Sequence, residues 1–198
     1  AAAAVAANRS SMLMVDVNCP WPLHDATAFA RALEALGIHW LEEPIWPPEN
    51  YRALASLRTR TRIPLAAGEN ALSVGDLERM LDLHAVDHAQ PSVTKIGGIS
   101  GMRRIAAKAA SCSIALAPHS PYFGPGLLAT IHLCAALAPQ AWIEHLFYDL
   151  QDGPFAGAVK PHNGRFRISN LPGLGADPDP DLLAQCRVAP SDRTEISH

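Results

Sequence analysis

No apolar run in the 198-residue chain approaches the ~20 residues that a membrane-spanning helix requires. Arg and Lys are scattered, and 16 basic residues against 19 acidic ones leave a formal charge of −3, so a nucleic-acid partner is not expected. The four cysteines, Cys19, Cys112, Cys134 and Cys186, stand far apart with no CxxC pair. That spacing supports neither a zinc ribbon nor a disulfide framework, and it points to reduced thiols in a cytoplasmic protein. The alanine-rich opening, residues 1–7, lacks the basic start of a signal peptide and reads as the end of a helix. What is present is a hydrophobic fraction of 48% against 18% charged residues, which suits a well-buried α/β protein in a single domain.

Hydrophobic runs and breakers then alternate along the chain. Strands are predicted at 12–17, 38–41, 64–67, 86–89, 113–117 and 141–143. Helices are predicted at 25–36, 51–57, 74–83, 99–110 and 126–137, with Gly37 stopping the first and Ser73 capping the third. A regular βα alternation argues for a parallel sheet with helices outside it. From residue 152 onward Gly and Pro multiply and the alternation stops, as in a tail that packs elsewhere.

Three acids close successive strand candidates: Asp16, Glu42 and Glu69, spaced by 26 and 27 residues. One such interval holds a strand, a helix and two loops. Adjacent parallel strands bring their C-terminal ends together, so the three carboxylates should converge closely enough to share one hard divalent cation such as Mg²⁺. A lone acid after an apolar run is more often a helix cap or a solvated loop residue; the regular spacing favours the metal. Spacing alone does not say whether Glu42 or Glu43 points inward. His84 and His88, four apart but split between a helix end and a strand start, read as structural.

The phrases Val15-Asp-Val-Asn18, Trp40-Leu-Glu-Glu-Pro44, Ala67-Gly-Glu-Asn70 and Thr94-Lys-Ile-Gly-Gly98 resemble the enolase superfamily, in its mandelate racemase and muconate-lactonizing branch. The resemblance runs from about residue 8 to residue 177. It implies an α/β fold of the (β/α)8 TIM-barrel type, truncated to about strands 3–8 plus a C-terminal tail. Residues 1–150 would be the partial barrel, and 151–198 a tail returning toward a capping domain. Asp16, Glu42 and Glu69 would hold Mg²⁺, the first Glu of the pair being the ligand. The implied chemistry is abstraction of the proton α to a carboxylate from a small substrate. His119, in Ala117-Pro-His-Ser-Pro121, matches the general base of the racemase-like members. Glu144 matches an acid that hydrogen-bonds the substrate carboxylate, while Asn18, Asn70 and Ser92 are candidates for substrate contact.

The departures from that pattern carry information too. The racemase-like members place an Asp where this chain has Ser92, and the muconate-lactonizing type places a Lys there. His119 would therefore lack a charged partner at that position. Lys95 matches a Lys common to both types and reads as structural. The family's Lys-x-Lys strand and capping domain do not precede Asp16. Residues 1–198 alone are expected to be a fragment without turnover, and the full-length protein a homo-oligomer. The reading that results is an acid-sugar or hydroxy-acid dehydratase. A racemase or epimerase is the alternative, and an inactive remnant that binds only metal or a partner is the rival from another class.

Overall fold

The computed structural model describes residues 12–147, 153–155 and 157–187. The expected helix end at residues 1–7 lies outside that range. Five short strands, β1 (Met14–Asp16), β2 (Trp40–Glu42), β3 (Leu65–Ala67), β4 (His88–Ala89) and β5 (Ala115–Leu116), form one sheet in chain order. Every neighbouring pair is parallel, with Asp16 opposite Glu42 and Leu41 opposite Leu65. Between and after the strands run α1 (Leu23–Leu33), α2 (Tyr51–Arg58), α3 (Val74–Asp82), α4 (Gly98–Ser111) and α5 (Pro125–Leu137).

Side chains alternate across each strand, and that period of two divides the core. Leu41, Leu65 and Ala67 face the helices and join a continuous cluster with Leu57, Leu77, Met80, Leu81 and Ile105. Burying each of these large side chains contributes about 1.5–3 kcal/mol, so this layer fixes the strand order. Trp40, Ala66 and Ala117, with Met14, form a small cluster on the other face of the sheet. No helix among the described residues is long and apolar enough to cross a membrane. The four cysteines are unpaired.

The helices begin and end where local chemistry dictates. Ser73 accepts the Asp76 N–H at 3.1 Å and caps α3 as its sequence predicts. The predicted helix over 25–36 starts earlier, at Leu23, and its last turn tightens to a 3-10 turn (Glu34–Leu36) before Gly37 in the left-handed region. All five strands are shorter than predicted, and three end at a residue of positive φ. Asn18 (φ 52°) and Cys19 (54°) follow β1, Glu43 (49°) follows β2, and Gly68 (134°) follows β3. Such geometry cannot continue a ladder, and for non-glycine residues it costs about 1–2 kcal/mol each.

The predicted sixth strand, 141–143, is a correction. These residues join no ladder, and Trp142 remains 45% exposed. Apolar alternation makes a segment able to be a strand, but pairing needs a neighbour's N–H and C=O groups in register. The segment is instead held through Ser120, whose Oγ donates to the Glu144 carbonyl at 2.9 Å. The tail also holds a helix that the pattern reading missed, α6 (Pro180–Gln185), with Asp179 as its cap and Pro180 at its first position. Leu174 and Ala176 of the tail pack with Phe155 and Val159 against Leu127, Leu128 and Ile131 of α5.

Candidate active site

The C-terminal ends of the five strands carry nearly every polar residue that the motifs singled out. Asp16 closes β1, Glu42 closes β2 and Glu69 stands two residues beyond β3, so register alone brings them to one rim. Ser92 and His119 follow β4 and β5 on the same rim. Glu144 reaches it through Ser120, whose backbone N–H donates to Glu144 Oε2 at 3.2 Å.

His119 is the hub. Its Nδ1 lies 2.7 Å from Glu69 Oε2 and 2.9 Å from Glu144 Oε2. Both are close ion-pair contacts rather than aligned N–H hydrogen bonds. Burial disfavours the charged imidazolium, but the contacts with Glu144 and Glu69 outweigh it and push His119 up to about 10. The same contact with His119, against the opposing effect of burial, holds the Glu69 carboxyl below its ordinary range. The charged partner missing at position 92 is thus supplied by Glu69, just beyond β3, and by Glu144 of the unpaired segment after α5.

The three proposed metal-binding acids share the rim but hold separate partners. Asp16 accepts the Asn18 N–H at 2.9 Å and the Asn18 amide at 3.2 Å. Glu42 accepts Trp40 Nε1–H at 3.0 Å. Glu69 faces His119. Among the described residues, no three His, Cys, Asp or Glu side chains stand close enough to hold one ion as they are placed. The donor set nonetheless suits a hard divalent cation. Burial raises the Asp16 and Glu42 carboxyls, and each is raised further by neighbouring acids: Asp16 by Glu69 and Glu144, Glu42 by Asp16 and Glu144. A bound cation would offset the cost of keeping these two buried carboxylates ionised.

Glu43, which the spacing left ambiguous, has a different place from Glu42. Its positive φ turns its side chain into the protein, where it is 4% exposed. There Oε1 accepts the Gly68 N–H at 3.3 Å, while Oε2 accepts the Cys19 thiol at 2.6 Å and the Asn70 amide. Glu43 therefore ties together the loops after β1, β2 and β3. Asn18 and Asn70, candidates for substrate contact, are both engaged with acids. Lys95 donates Nζ–H to the Glu69 carbonyl at 2.8 Å, a structural role for that Lys.

Ser92 does not meet His119. It is fully buried and contacts the hydroxyls of Thr94, at 3.0 Å, and Tyr122. Tyr122 in turn lies edge-on to His119, with ring centroids 6.1 Å apart. Sequence reasoning missed Tyr122, although its position three residues after His119 in the same strand-end loop was a usable signal. His88, read as structural, faces Trp40 at 4.9 Å between ring centroids.

Over residues 1–182 the sequence matches the enolase C-terminal domain-like family. The chain belongs to that family. It is 33% identical over 169 residues to a D-galactonate dehydratase family member of Streptomyces bingchenggensis, covering 84% of this chain and 41% of that protein. It is 35% identical over 166 residues to the arabinonate dehydratase of Saccharolobus solfataricus, covering 82% and 44% respectively. The solved structure of a mandelate racemase/muconate lactonizing protein from Paracoccus denitrificans, complexed with magnesium, superposes with a TM-score of 0.82 at 29% identity. That match covers 90% of this chain and 48% of the other. The chain spans less than half the length of each of these relatives. The five-stranded sheet of this enolase-family chain is therefore an arc of a (β/α) barrel, as the motifs implied.

Proposed function

We propose that the whole protein abstracts the proton α to the carboxylate of a small acid and acts as an acid-sugar or hydroxy-acid dehydratase, a lyase. The observation that supports this is the gathering of Asp16, Glu42, Glu69, His119 and Glu144 on one rim of a parallel sheet. Asp16, Glu42 and Glu69 have the chemistry to hold Mg²⁺, which when bound supplies Lewis-acid stabilisation of charge developing on the substrate oxygens. The likeness to a protein crystallised with magnesium supports the same choice.

The chain's own residues divide the remaining work. His119 holds or moves a proton at Nδ1, between Glu69 and Glu144. Glu144, tethered by Ser120, orients the substrate carboxylate. Asn18 and Asn70 fix Asp16 and Glu43 and so shape the rim that receives substrate. The dehydratases among the relatives favour loss of a β-hydroxyl after proton abstraction. A racemase or epimerase sharing the first step is the alternative, favoured by the fold likeness to the mandelate racemase/muconate lactonizing protein. A cytoplasmic location, a homo-oligomeric whole protein, and a division near residue 150 into barrel portion and tail belong to the same reading.

The test uses the full-length protein with sugar acids in deuterated solvent. His119→Asn should stop exchange of the substrate α-hydrogen, followed by proton NMR. Glu69→Gln should abolish Mg²⁺-dependent turnover and weaken Mg²⁺ binding while leaving the fold intact. Unaltered exchange in His119→Asn would overturn the assignment of the proton to this residue.

A further inference from the structure

Beside His119, three hydroxyls from two strand-end loops touch one another. Ser92 Oγ contacts Thr94 Oγ1 at 3.0 Å, Thr94 Oγ1 donates to Tyr122 Oη at 2.8 Å, and Ser92 Oγ contacts Tyr122 Oη. The first turn of α5 leaves room for this cluster. A Cβ on Gly126 would lie 2.8 Å from Thr94 Cγ2 and 3.0 Å from Tyr122 Cδ2. The cluster is therefore packed in place rather than loosely gathered.

Its hydrogen-bond inventory decides what it can receive. A hydroxyl has one proton to donate and two lone pairs to accept with. With Thr94 donating to Tyr122, the ring closes when Tyr122 donates to Ser92 and Ser92 to Thr94. All three protons are then used internally, and each oxygen keeps one free acceptor. Ser92 is fully buried, so the outward acceptors are those of exposed Thr94 and half-buried Tyr122. Of the neighbouring cations, Lys95 is turned to the Glu69 carbonyl, and His119, edge-on to Tyr122, has its Nδ1 against the carboxylates of Glu69 and Glu144.

We infer that Ser92, Thr94 and Tyr122 form a subsite that accepts a substrate hydroxyl and selects a sugar acid with one carboxylate over its dicarboxylic counterpart. This rests on the reading of the substrate as an acid sugar. A neutral, acceptor-only surface gains a hydrogen bond from an O–H group. A second carboxylate brings only acceptors and loses water without compensation.

The test is calorimetric binding of paired acids, galactonate with galactarate and gluconate with glucarate, to the Mg²⁺-loaded full-length protein. In the better-binding pair, the monocarboxylate should bind about tenfold more tightly, the order expected for one hydrogen bond kept against one left unmade. Thr94→Val and Tyr122→Phe should each erase most of that preference by weakening the monocarboxylate alone. Gly126→Ala, which displaces the cluster without removing a hydroxyl, should also reduce it. Equal or tighter binding of the dicarboxylate, an undiminished preference in Thr94→Val, or no binding of either acid in both pairs would overturn the inference. Exchange of the α-hydrogen in the same samples reports on the proposed chemistry separately. Preference without exchange leaves the subsite and removes the chemistry, and exchange without preference does the reverse.

Discussion

Glu43→Gln tests how the strand ends are held. The substitution keeps the shape of the side chain but replaces one acceptor oxygen with an NH₂ group and removes the charge. If the remaining oxygen keeps the Cys19 thiol and the Asn70 amide, the new NH₂ faces the Gly68 N–H, donor against donor. Leaving that buried N–H unsatisfied costs about 1–3 kcal/mol. The two surviving hydrogen bonds lose their charge assistance, which roughly halves their strength. A destabilisation of about 2–4 kcal/mol follows, large against the ~5–15 kcal/mol by which domains are stable. Urea denaturation measures it as a shift in midpoint at constant slope. The Cys19 thiol gives a second readout. Burial and its hydrogen bond to Glu43 raise it well above the ordinary thiol range, so it should react slowly with a thiol reagent at pH 8 and faster in the variant. A midpoint shift worth less than about 0.5 kcal/mol, the range of an ordinary surface substitution, would refute the reasoning, since it would mean Glu43 ties nothing together.

Two further outcomes follow from other parts of the fold. Gly68→Ala should cost about 1–3 kcal/mol in the same assay, because φ is 134° there and a Cβ would lie 3.1 Å from Leu77 Cδ2 and 3.2 Å from Gln90 N. It should also weaken Mg²⁺ binding by displacing Glu69. Glu34 accepts the Arg62 N–H at 2.9 Å and meets the Arg62 guanidinium, which lowers its pKa. A carboxyl whose folded pKa is depressed contributes stability above its unfolded pKa of about 4.3 and loses it as pH falls through the folded value. Glu34→Gln should therefore flatten the acid limb of the stability profile below about pH 4, an effect that is absent at high salt if the ion pair is its source.

The sequence by itself determined the βα order, the rim and most of its acids. Apolar runs separated by helical stretches specify strands in chain order, and acids at nearly equal intervals after those runs reach one rim once the strands lie parallel, although as placed they hold separate partners. That is why Asp16, Glu42, Glu69 and His119 were legible from spacing and motif, and why Ser73 was legible as a cap. Only the tertiary structure decided the contacts between strand ends. Whether 141–143 pairs depends on a neighbour in register, which its own residues do not encode. The inward turn of Glu43 follows from a positive φ and the donors of two other loops. The partner of Ser92 is Tyr122, and the partners of His119 are Glu69 and Glu144, because loops distant in sequence are packed onto one rim. Periodicity is a property of one segment, whereas a contact belongs to two segments and to the backbone that brings them together.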